Sequence, residues 1–322
     1  MIAARWALIG LLAAVPVLAR GQAPARFSSG TAAVRVDALV TSGNRPVTGL
    51  KASDFELRDN GVLQRISDVS QETLPLNVFC VLDVSGSVGG QPLARLKKAS
   101  ASLVGTLRER DRAALMTFAD RLVLHSPLTG DTARLRTLLD GMVAGGHTSF
   151  VDAAFAGLAL REFDDGRALM LLFSDGEDTA SWLRAEPVLE AARRTDVVIY
   201  PVTIRRMMLV TSYSMSNFAP SGYRQQRMVA RNDTPEKLLE ALADETGGRV
   251  IYLENDETLE ATFVQVLSEF RQRYVLSYSP SNVSTEGWHT LDVSVVGKRA
   301  QVKARRGYAA APASRGGAGR ER

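Results

Sequence analysis

Residues 78–90, VFCVLDVSGSVGG, decide the fold class of this chain. The segment begins with an unbroken apolar run, which is typical of a β-strand covered on both faces of a sheet. The run ends at Asp83, and Ser85 and Ser87 follow directly. Loops at the carboxyl ends of parallel strands are where open α/β sheets bind ligands. Small oxygen-bearing side chains at such an end therefore indicate a ligand site.

Similar apolar runs recur further along the chain. Residues 168–173 (ALMLLF) and 196–202 (DVVIYPV) are nearly continuous, and the stretches between the runs have apolar residues at helical spacing. This alternation predicts an α/β fold: a doubly wound, mostly parallel central sheet with helices on both faces, as in Rossmann-like domains. We expect strands 76–82 and 168–173 to be neighbours, and residues 113–128 to form a hairpin inserted in the sheet.

The flanks of this region have the alternating pattern of β-strands. An Asn-Gly pair at 60–61 favours a tight hairpin turn in the N-terminal flank. Near the C-terminus, 274–280, 288–296 and 300–308 each indicate one strand. We predict that the two flanks pair into one small sheet, and a separate C-terminal meander is the alternative. The predicted organisation is a signal peptide (1–23), an N-terminal β region (24–74), an α/β domain (75–272), C-terminal strands (273–310) and a disordered tail (311–322).

The N-terminus has the layout of a secretory signal peptide. An early arginine precedes an apolar stretch from Trp6 to Ala19, and small residues follow. Pro16 interrupts this stretch, which is short for a membrane-spanning helix, so no spanning segment is expected after cleavage. We expect an exported protein, periplasmic or secreted. The single cysteine, Cys80, lies in an apolar run and is interpreted as a core residue.

Charge and composition limit the classes of partner. The formal net charge is +4, and no Lys/Arg-rich run alternates with aromatic residues, so no nucleic-acid partner is expected. Residues 205–233 form a long, basic, Ser/Tyr/Met-rich segment that fits neither strand nor helix. Segments of this length are usually either functional or disordered, and both alternatives stay open.

Two further loops are expected to join Asp83, Ser85 and Ser87. Thr148 lies in a Gly-flanked loop before a helix, and Asp175 follows strand 168–173. Oxygen ligands with only two carboxylates suit a hard divalent cation, and Mg²⁺ prefers octahedral oxygen coordination and readily keeps waters. We predict Mg²⁺, with Mn²⁺ or Ca²⁺ as alternative ions. The hydroxyl groups are expected to coordinate directly and the two carboxylates through waters.

Acidic residues beside this cluster are assigned other roles. Asp152 is interpreted as a first-turn residue at a helix N-terminus, and Asp178 as a solvated cap. His147 is interpreted as a loop residue, because Mg²⁺ does not favour imidazole. Since the cluster is expected at the rim of the sheet, Asp83→Ala is expected to leave the fold largely intact.

The cluster resembles the metal-ion-dependent adhesion site of the von Willebrand factor type A domain. That site combines an Asp-x-Ser-x-Ser sequence with a later Thr and a later Asp, which fall here on Asp83, Ser85, Ser87, Thr148 and Asp175. The resemblance covers about residues 76–270. The layout with both flanks is similar to bacterial von Willebrand factor A-related proteins common in acidobacteria. The resemblance implies the fold and a divalent ion. The charge of the cluster leaves a coordination position that attracts an anionic group, so we expect a protein partner that supplies Asp or Glu to the ion.

Three function classes compete. The favoured one is an exported, adhesion-type binding module that captures an acidic group of a partner through Mg²⁺. A structural or scaffolding subunit of an envelope assembly is the alternative, although the intact five-residue set argues against a vestigial site. A metal-assisted hydrolase with Asp83 as nucleophile is disfavoured, because the phosphatase pattern needs a second Asp where Ser85 stands. No Gly-x-Ser-x-Gly elbow occurs around Ser85 or Ser87. We expect no enzymatic activity.

Overall fold

The computed structural model describes residues 33–43, 45–71, 74–161, 166–174, 178–204, 235–297 and 299–310. The predictions that concern the signal peptide, Asp175, the 205–233 segment and the C-terminal tail therefore lie outside the described residues. Within the described ranges, no helix is long and apolar enough to cross a membrane.

Strands and helices follow the order that the sequence pattern indicates. The strands are β1 (Val34–Ser42), β2 (Arg45–Pro46), β3 (Phe55–Asp59), β4 (Val62–Gln64), β5 (Ile66–Gln71), β6 (Leu76–Asp83), β7 (Arg112–Phe118), β8 (Leu122–Thr129), β9 (Arg167–Ser174), β10 (Val198–Ile204), β11 (Ile251–Leu253), β12 (Tyr274–Tyr278), β13 (Gly287–Val295), β14 (Gln301–Ala304) and β15 (Gly307–Ala310). The helices are α1 (Gln91–Gly105), α2 (Thr132–Asp140), α3 (Phe150–Ala159), α4 (Ala185–Arg194), α5 (Pro235–Thr246) and α6 (Leu259–Arg271).

The central sheet confirms the predicted α/β fold. Among the described strands its order is β11-β10-β9-β6-β7-β8, with β6 paired in parallel to both β7 and β9. The hairpin partner β8 runs antiparallel to β7, as the sequence predicts. Every residue of β6 and β9 is buried, because helices cover both faces. One face packs on α1, α2 and α6, and the other on α3, α4 and α5.

Strands from both ends of the chain pair with each other. β1 lies between β12 and β14, and β12 also pairs with β5, all antiparallel. In a second small sheet β13 pairs with β3 and β15, and β3 with β4. The two small sheets share one apolar cluster that includes Val36, Leu57 and Leu276. Residues 300–308, expected as one strand, are split: β14 joins the first small sheet and β15 the second.

The Asn60-Gly61 turn between β3 and β4 is the hairpin that the sequence predicts. Both residues have positive φ values, 47° and 79°. A type I′ turn requires positive φ at both central positions, and Asn-Gly is the pair that adopts them at least cost.

Buried arginines connect the central sheet with the small sheets. Arg273 is fully buried. It donates one hydrogen bond to the Tyr200 hydroxyl in β10 (3.3 Å) and others to the carbonyls of Asp37 (3.1 Å) and Lys303 (3.2 Å). Arg167, at the start of β9, forms an ion pair with Asp37 in β1. The two guanidinium groups thus join the central sheet to the first small sheet, through backbone carbonyls and through side chains.

Candidate metal centre

Strand β6 carries Asp83 to the carboxyl edge of the central sheet. The side chain is fully buried there. Its Oδ1 accepts a hydrogen bond from the backbone N–H of Ser85 (2.8 Å), and its Oδ2 accepts one from the Ser174 hydroxyl (2.9 Å) at the end of β9. Both carboxylate oxygens therefore have protein donors. This arrangement is compatible with a carboxylate that acts on a metal through waters.

The sequence interpretation missed two aspects of Asp83. It placed the cluster at the rim of the sheet and outside the core, whereas Asp83, although at the carboxyl edge, is fully buried. It also did not include Ser174 among the site residues. The available signal was its position: Ser174 ends a predicted central strand and directly precedes Asp175.

The hydroxyl groups of Ser85 and Ser87 lie side by side. Their Oγ atoms are 2.9 Å apart, with Ser85 buried and Ser87 exposed. Two adjacent ligands of an octahedral Mg²⁺, each about 2.1 Å from the ion, are separated by about 3 Å. The observed spacing therefore fits a pair of hydroxyl ligands to one small, hard cation.

The loop that carries Thr148 is fastened to the Asp83–Ser87 loop by the backbone. Gly86 N–H donates to the Gly146 carbonyl, and Gly145 N–H donates to the Val84 carbonyl, both at 2.9 Å. Gly146 has a φ of +81°, and a Cβ atom there would lie 2.2 Å from an Asp120 carboxylate oxygen, so the close approach requires glycine. Thr148 is buried two residues later.

A second layer of hydrogen bonds holds the Thr148 loop from the other side. The backbone N–H groups of Thr179 and Ala180 donate to the Thr148 carbonyl at 2.9 and 3.0 Å. Thr148 N–H in turn donates to the Thr179 hydroxyl (3.0 Å). The segment that follows Asp175 in the chain thus packs directly on the Thr148 loop.

Asp152 and Asp178 do more than the sequence interpretation assigned to them. Asp178 accepts hydrogen bonds from Phe150 N–H (2.9 Å) and the Ser181 hydroxyl (2.6 Å), so it caps α3 from a different loop. The Asp152 carboxylate accepts the backbone N–H groups of Trp182 (3.0 Å) and Leu183 (2.9 Å). Both side chains position the loop after β9, and neither is simply a solvated cap.

The donor set fits a hard divalent ion. The described ranges contain four of the five predicted residues, Asp83, Ser85, Ser87 and Thr148, and their loops meet at one edge of the sheet. Within those ranges no group of three or more His, Cys, Asp or Glu side chains could hold a metal. The candidate site is instead one carboxylate with three hydroxyl groups, an oxygen set of the kind that Mg²⁺ and Mn²⁺ accept.

The histidines contribute little to this centre. His147 is exposed beside Thr148, and its backbone N–H donates to Asp120 Oδ1 (2.8 Å). His125 Nε2 lies 2.7 Å from the Thr117 hydroxyl, and burial lowers the pKa of His125. His289 is buried in the small sheets against Asp59.

Comparisons with known proteins identify the domain. Residues 77–265, more than half of the chain, match the family model of the von Willebrand factor type A domain. An uncharacterised protein of Synechocystis sp. is 29% identical over 150 residues, or 45% of this chain and 35% of that protein. Inter-alpha-trypsin inhibitor heavy chain H4 of Bos taurus is 24% identical over 149 residues, or 42% of this chain and 16% of that protein. The similarity therefore spans well under two thirds of either relative.

A von Willebrand factor type A protein from Catenulispora acidiphila aligns over 83% of this chain and 76% of its own, with a TM-score of 0.49 and 12% identity. Domains matched by this family model typically bind a divalent metal ion and protein partners at the metal-ion-dependent adhesion site. On the extent of the family match, this chain belongs to the von Willebrand factor type A domain family.

Proposed function

We propose that the chain is an exported, adhesion-type protein-binding module that depends on a divalent metal ion. The ion, Mg²⁺ in this proposal, is held by Asp83, Ser85, Ser87, Thr148 and Asp175. A protein partner supplies an Asp or Glu side chain to it. The observation that carries the proposal is the pair of adjacent hydroxyl groups, 2.9 Å apart, next to a buried carboxylate at the carboxyl edge of the sheet.

Charge explains why an acidic partner is favoured. A bound divalent ion supplies a concentrated positive charge that attracts carboxylate oxygens. The Asp83 charge is already shared with the Ser85 N–H and the Ser174 hydroxyl. Nearby Asp120, Asp152 and Asp178 accept backbone N–H groups of this chain. These acids serve the loops. The two site carboxylates, Asp83 and Asp175, act through waters in this proposal, which leaves the ion electrophilic towards an incoming carboxylate.

We also propose that the site has no catalytic activity. Both oxygens of Asp83 accept protein hydrogen bonds, which disfavours the carboxylate as a nucleophile. A hydrolase would need a general base, and the candidate is His147, which directly precedes Thr148 in the chain. Turnover assays with generic phosphoesters test this point. Hydrolysis that requires both Mg²⁺ and Asp83 would replace the binding proposal with an enzymatic one.

Calorimetry tests the metal site. Mg²⁺, Mn²⁺ and Ca²⁺ are titrated into the wild-type chain, Asp83→Asn and the control Asp131→Asn. Asp131 is exposed and caps α2 after β8, the antiparallel strand, so it lies at the opposite edge of the sheet. We expect one divalent-ion site in the wild type and in Asp131→Asn and its loss in Asp83→Asn. Equal binding by all three proteins would exclude Asp83 from the site.

Capture of partners tests the role of the metal. The full chain is immobilised and exposed to envelope proteins with Mg²⁺ or with EDTA, in wild-type and Asp83→Asn forms. We expect a captured protein to be released by EDTA and to be absent from the Asp83→Asn sample. Capture that survives both changes would favour a scaffolding subunit, in which the small sheets or the 205–233 segment make the contact.

Export is part of the proposal and rests on the signal-like residues 1–23. N-terminal sequencing of the native protein is expected to begin near Arg20 or Pro24, in material outside the cytoplasm. Cytosolic protein that retains Met1 would contradict export.

A further inference from the structure

One surface beside the candidate metal centre is apolar. Trp182 is 95% exposed, and Phe155 and Leu183 are 39% and 37% exposed. We call these three residues the Trp182 patch. Single exposed apolar residues are common, but a tryptophan that is almost fully exposed presents a large apolar area that no described residue covers.

The backbone that displays Trp182 is held firmly. The Asp152 carboxylate accepts the N–H groups of Trp182 and Leu183 at 3.0 and 2.9 Å. The Ser181 hydroxyl accepts the N–H groups of Val151 and Asp152 at the start of α3. Phe155 lies one helical turn after Asp152 and so shares its face of α3. These bonds fix the Trp182 patch on α3, which reduces the conformational entropy lost when a partner binds.

The patch is close to the candidate metal centre. Thr179 N–H donates directly to the Thr148 carbonyl, and Trp182 follows Thr179 by three residues. Three residues of chain span at most about 11 Å. A short peptide segment can therefore reach from the Thr148 loop to the Trp182 indole.

The surrounding charges favour an acidic segment. Arg184 follows the patch, is exposed, and forms no ion pair among the residues that the structure describes. The neighbouring acids Asp152 and Asp178 are occupied by backbone N–H groups and hydroxyls of the chain itself. A partner that carries negative charge beside its apolar residue can thus form an ion pair with Arg184.

We propose that the Trp182 patch is the apolar anchor for the partner segment whose carboxylate binds the metal ion. The partner chemistry is an acidic peptide segment with a large aliphatic or aromatic side chain within a few residues of its Asp or Glu. The carboxylate binds at the ion while the apolar side chain packs on Trp182. This inference rests on the proposed function and adds the residue that determines specificity, since buried tryptophans dominate the energy of many interfaces.

Peptide selection tests the anchor. A random-peptide phage library is selected on the full chain in Mg²⁺ and eluted with EDTA. We expect enriched peptides to combine an acidic residue with a large apolar neighbour. Their affinity should fall about tenfold or more for Trp182→Ala. The matched control is Trp288→Ala, a half-exposed tryptophan in β13 of the small sheets, which should leave affinity unchanged. Thermal melting of both variants checks that each is folded.

Fluorescence gives an independent measurement. In the Trp6→Phe/Trp288→Phe double variant, Trp182 is the only tryptophan. Its emission should be that of a hydrated indole and should shift to shorter wavelength when a selected peptide binds in Mg²⁺. Short-wavelength emission before any peptide is added would overturn the proposal. If this short-wavelength emission is unchanged on dilution, a segment of this chain covers the patch. If dilution abolishes the short-wavelength emission, a second copy of the chain covers the patch.

The results separate this inference from the proposed function. If Asp83→Asn and EDTA abolish peptide binding while Trp182→Ala does not, the metal site stands and the anchor is wrong. If Trp182→Ala abolishes binding that EDTA leaves intact, the metal-dependent function is wrong. Enriched acidic peptides without apolar neighbours would also overturn the anchor.

Discussion

At the scale of single residues, the carboxylate of Asp83 organises the candidate site. It fixes the turn through the Ser85 N–H and connects β6 to β9 through the Ser174 hydroxyl. Removing this side chain affects two buried donors as well as any bound metal. The effect on fold therefore differs from that expected of a residue at an exposed rim.

We predict that Asp83→Ala is destabilised while Asp83→Asn is not. Alanine removes the acceptor of the Ser85 N–H and one partner of the Ser174 hydroxyl, and a buried donor that loses its acceptor costs about 1–3 kcal/mol. Asparagine keeps one carbonyl acceptor and removes a buried charge. Urea unfolding of both variants in EDTA measures the difference. Equal stability of the two variants would show that these hydrogen bonds contribute nothing net.

Several site residues were accessible from sequence and others were not. The Asp-x-Ser-x-Ser spacing and the strand before it are local features, so Asp83, Ser85 and Ser87 stand out in one segment. The second layer depends on contacts between distant segments. Asp152 binds backbone groups 30 and 31 residues away, and no local pattern indicates such a partner.

At the scale of elements, β6 is a strand without a solvent-facing side. Cys80 in its centre is buried, and burial raises the pKa of the thiol to about 12 from 9.0. The thiol thus stays protonated in the folded protein at pH values where it ionises in the unfolded chain. It behaves as a small apolar residue, as the sequence indicates.

This pKa shift predicts a loss of stability in alkali. The stabilising contribution is fully present below pH 9 and decreases as the pH rises from 9 towards 12, because only the unfolded chain releases the proton. One proton changes the free energy of unfolding by about 1.4 kcal/mol per pH unit. Urea unfolding across this range should give a shallower decrease for Cys80→Ala than for the wild type. Burial also raises the pKa of Tyr200 and Tyr308 to about 12. These tyrosines are present in both proteins, so they do not change the difference between the two pH profiles. Parallel pH profiles would contradict the assignment.

The elements themselves were largely predictable, and their partners less so. Continuous apolar runs identify β6 and β9 because strands covered on both faces need no polar alternation. The split between β14 and β15 escaped notice because both halves have the same alternating pattern. The two strands differ in their partners: β14 pairs with β1 in one small sheet, and β15 pairs with β13 in the other.

At the scale of the whole molecule, the central sheet and the small sheets depend on a buried cation. Arg273 donates to Tyr200 in the central sheet and to carbonyls of β1 and β14 in a small sheet. Asp37 lies 236 residues from Arg273 along the chain. Only the folded structure shows why an arginine between α6 and β12 is fully enclosed.

We predict that Arg273→Met lowers the free energy of unfolding by about 3 kcal/mol or more. Methionine keeps much of the volume but removes the donor to two partly buried carbonyls and to the Tyr200 hydroxyl, and breaking a buried charged network typically costs about 3–5 kcal/mol. Arg299→Met, at an exposed position, is the control and should change stability little. Urea unfolding gives the comparison. An Arg273→Met protein as stable as the control would show that the junction does not depend on this residue.

The pairing of β1 with β12 and β14 also determines when β1 can fold during translation. A ribosome makes β1 more than 200 residues before its ladder partners. The strands of the central sheet pair with partners that are nearer in the chain, such as β6 with β7 and β7 with β8, so these pairs can form while translation continues. Until Ala304 has emerged, β1 has unpaired backbone groups that can template pairing with other chains. Loss of both β12 and β14 would therefore leave β1 without these two partners, although every residue of the central sheet would still be present.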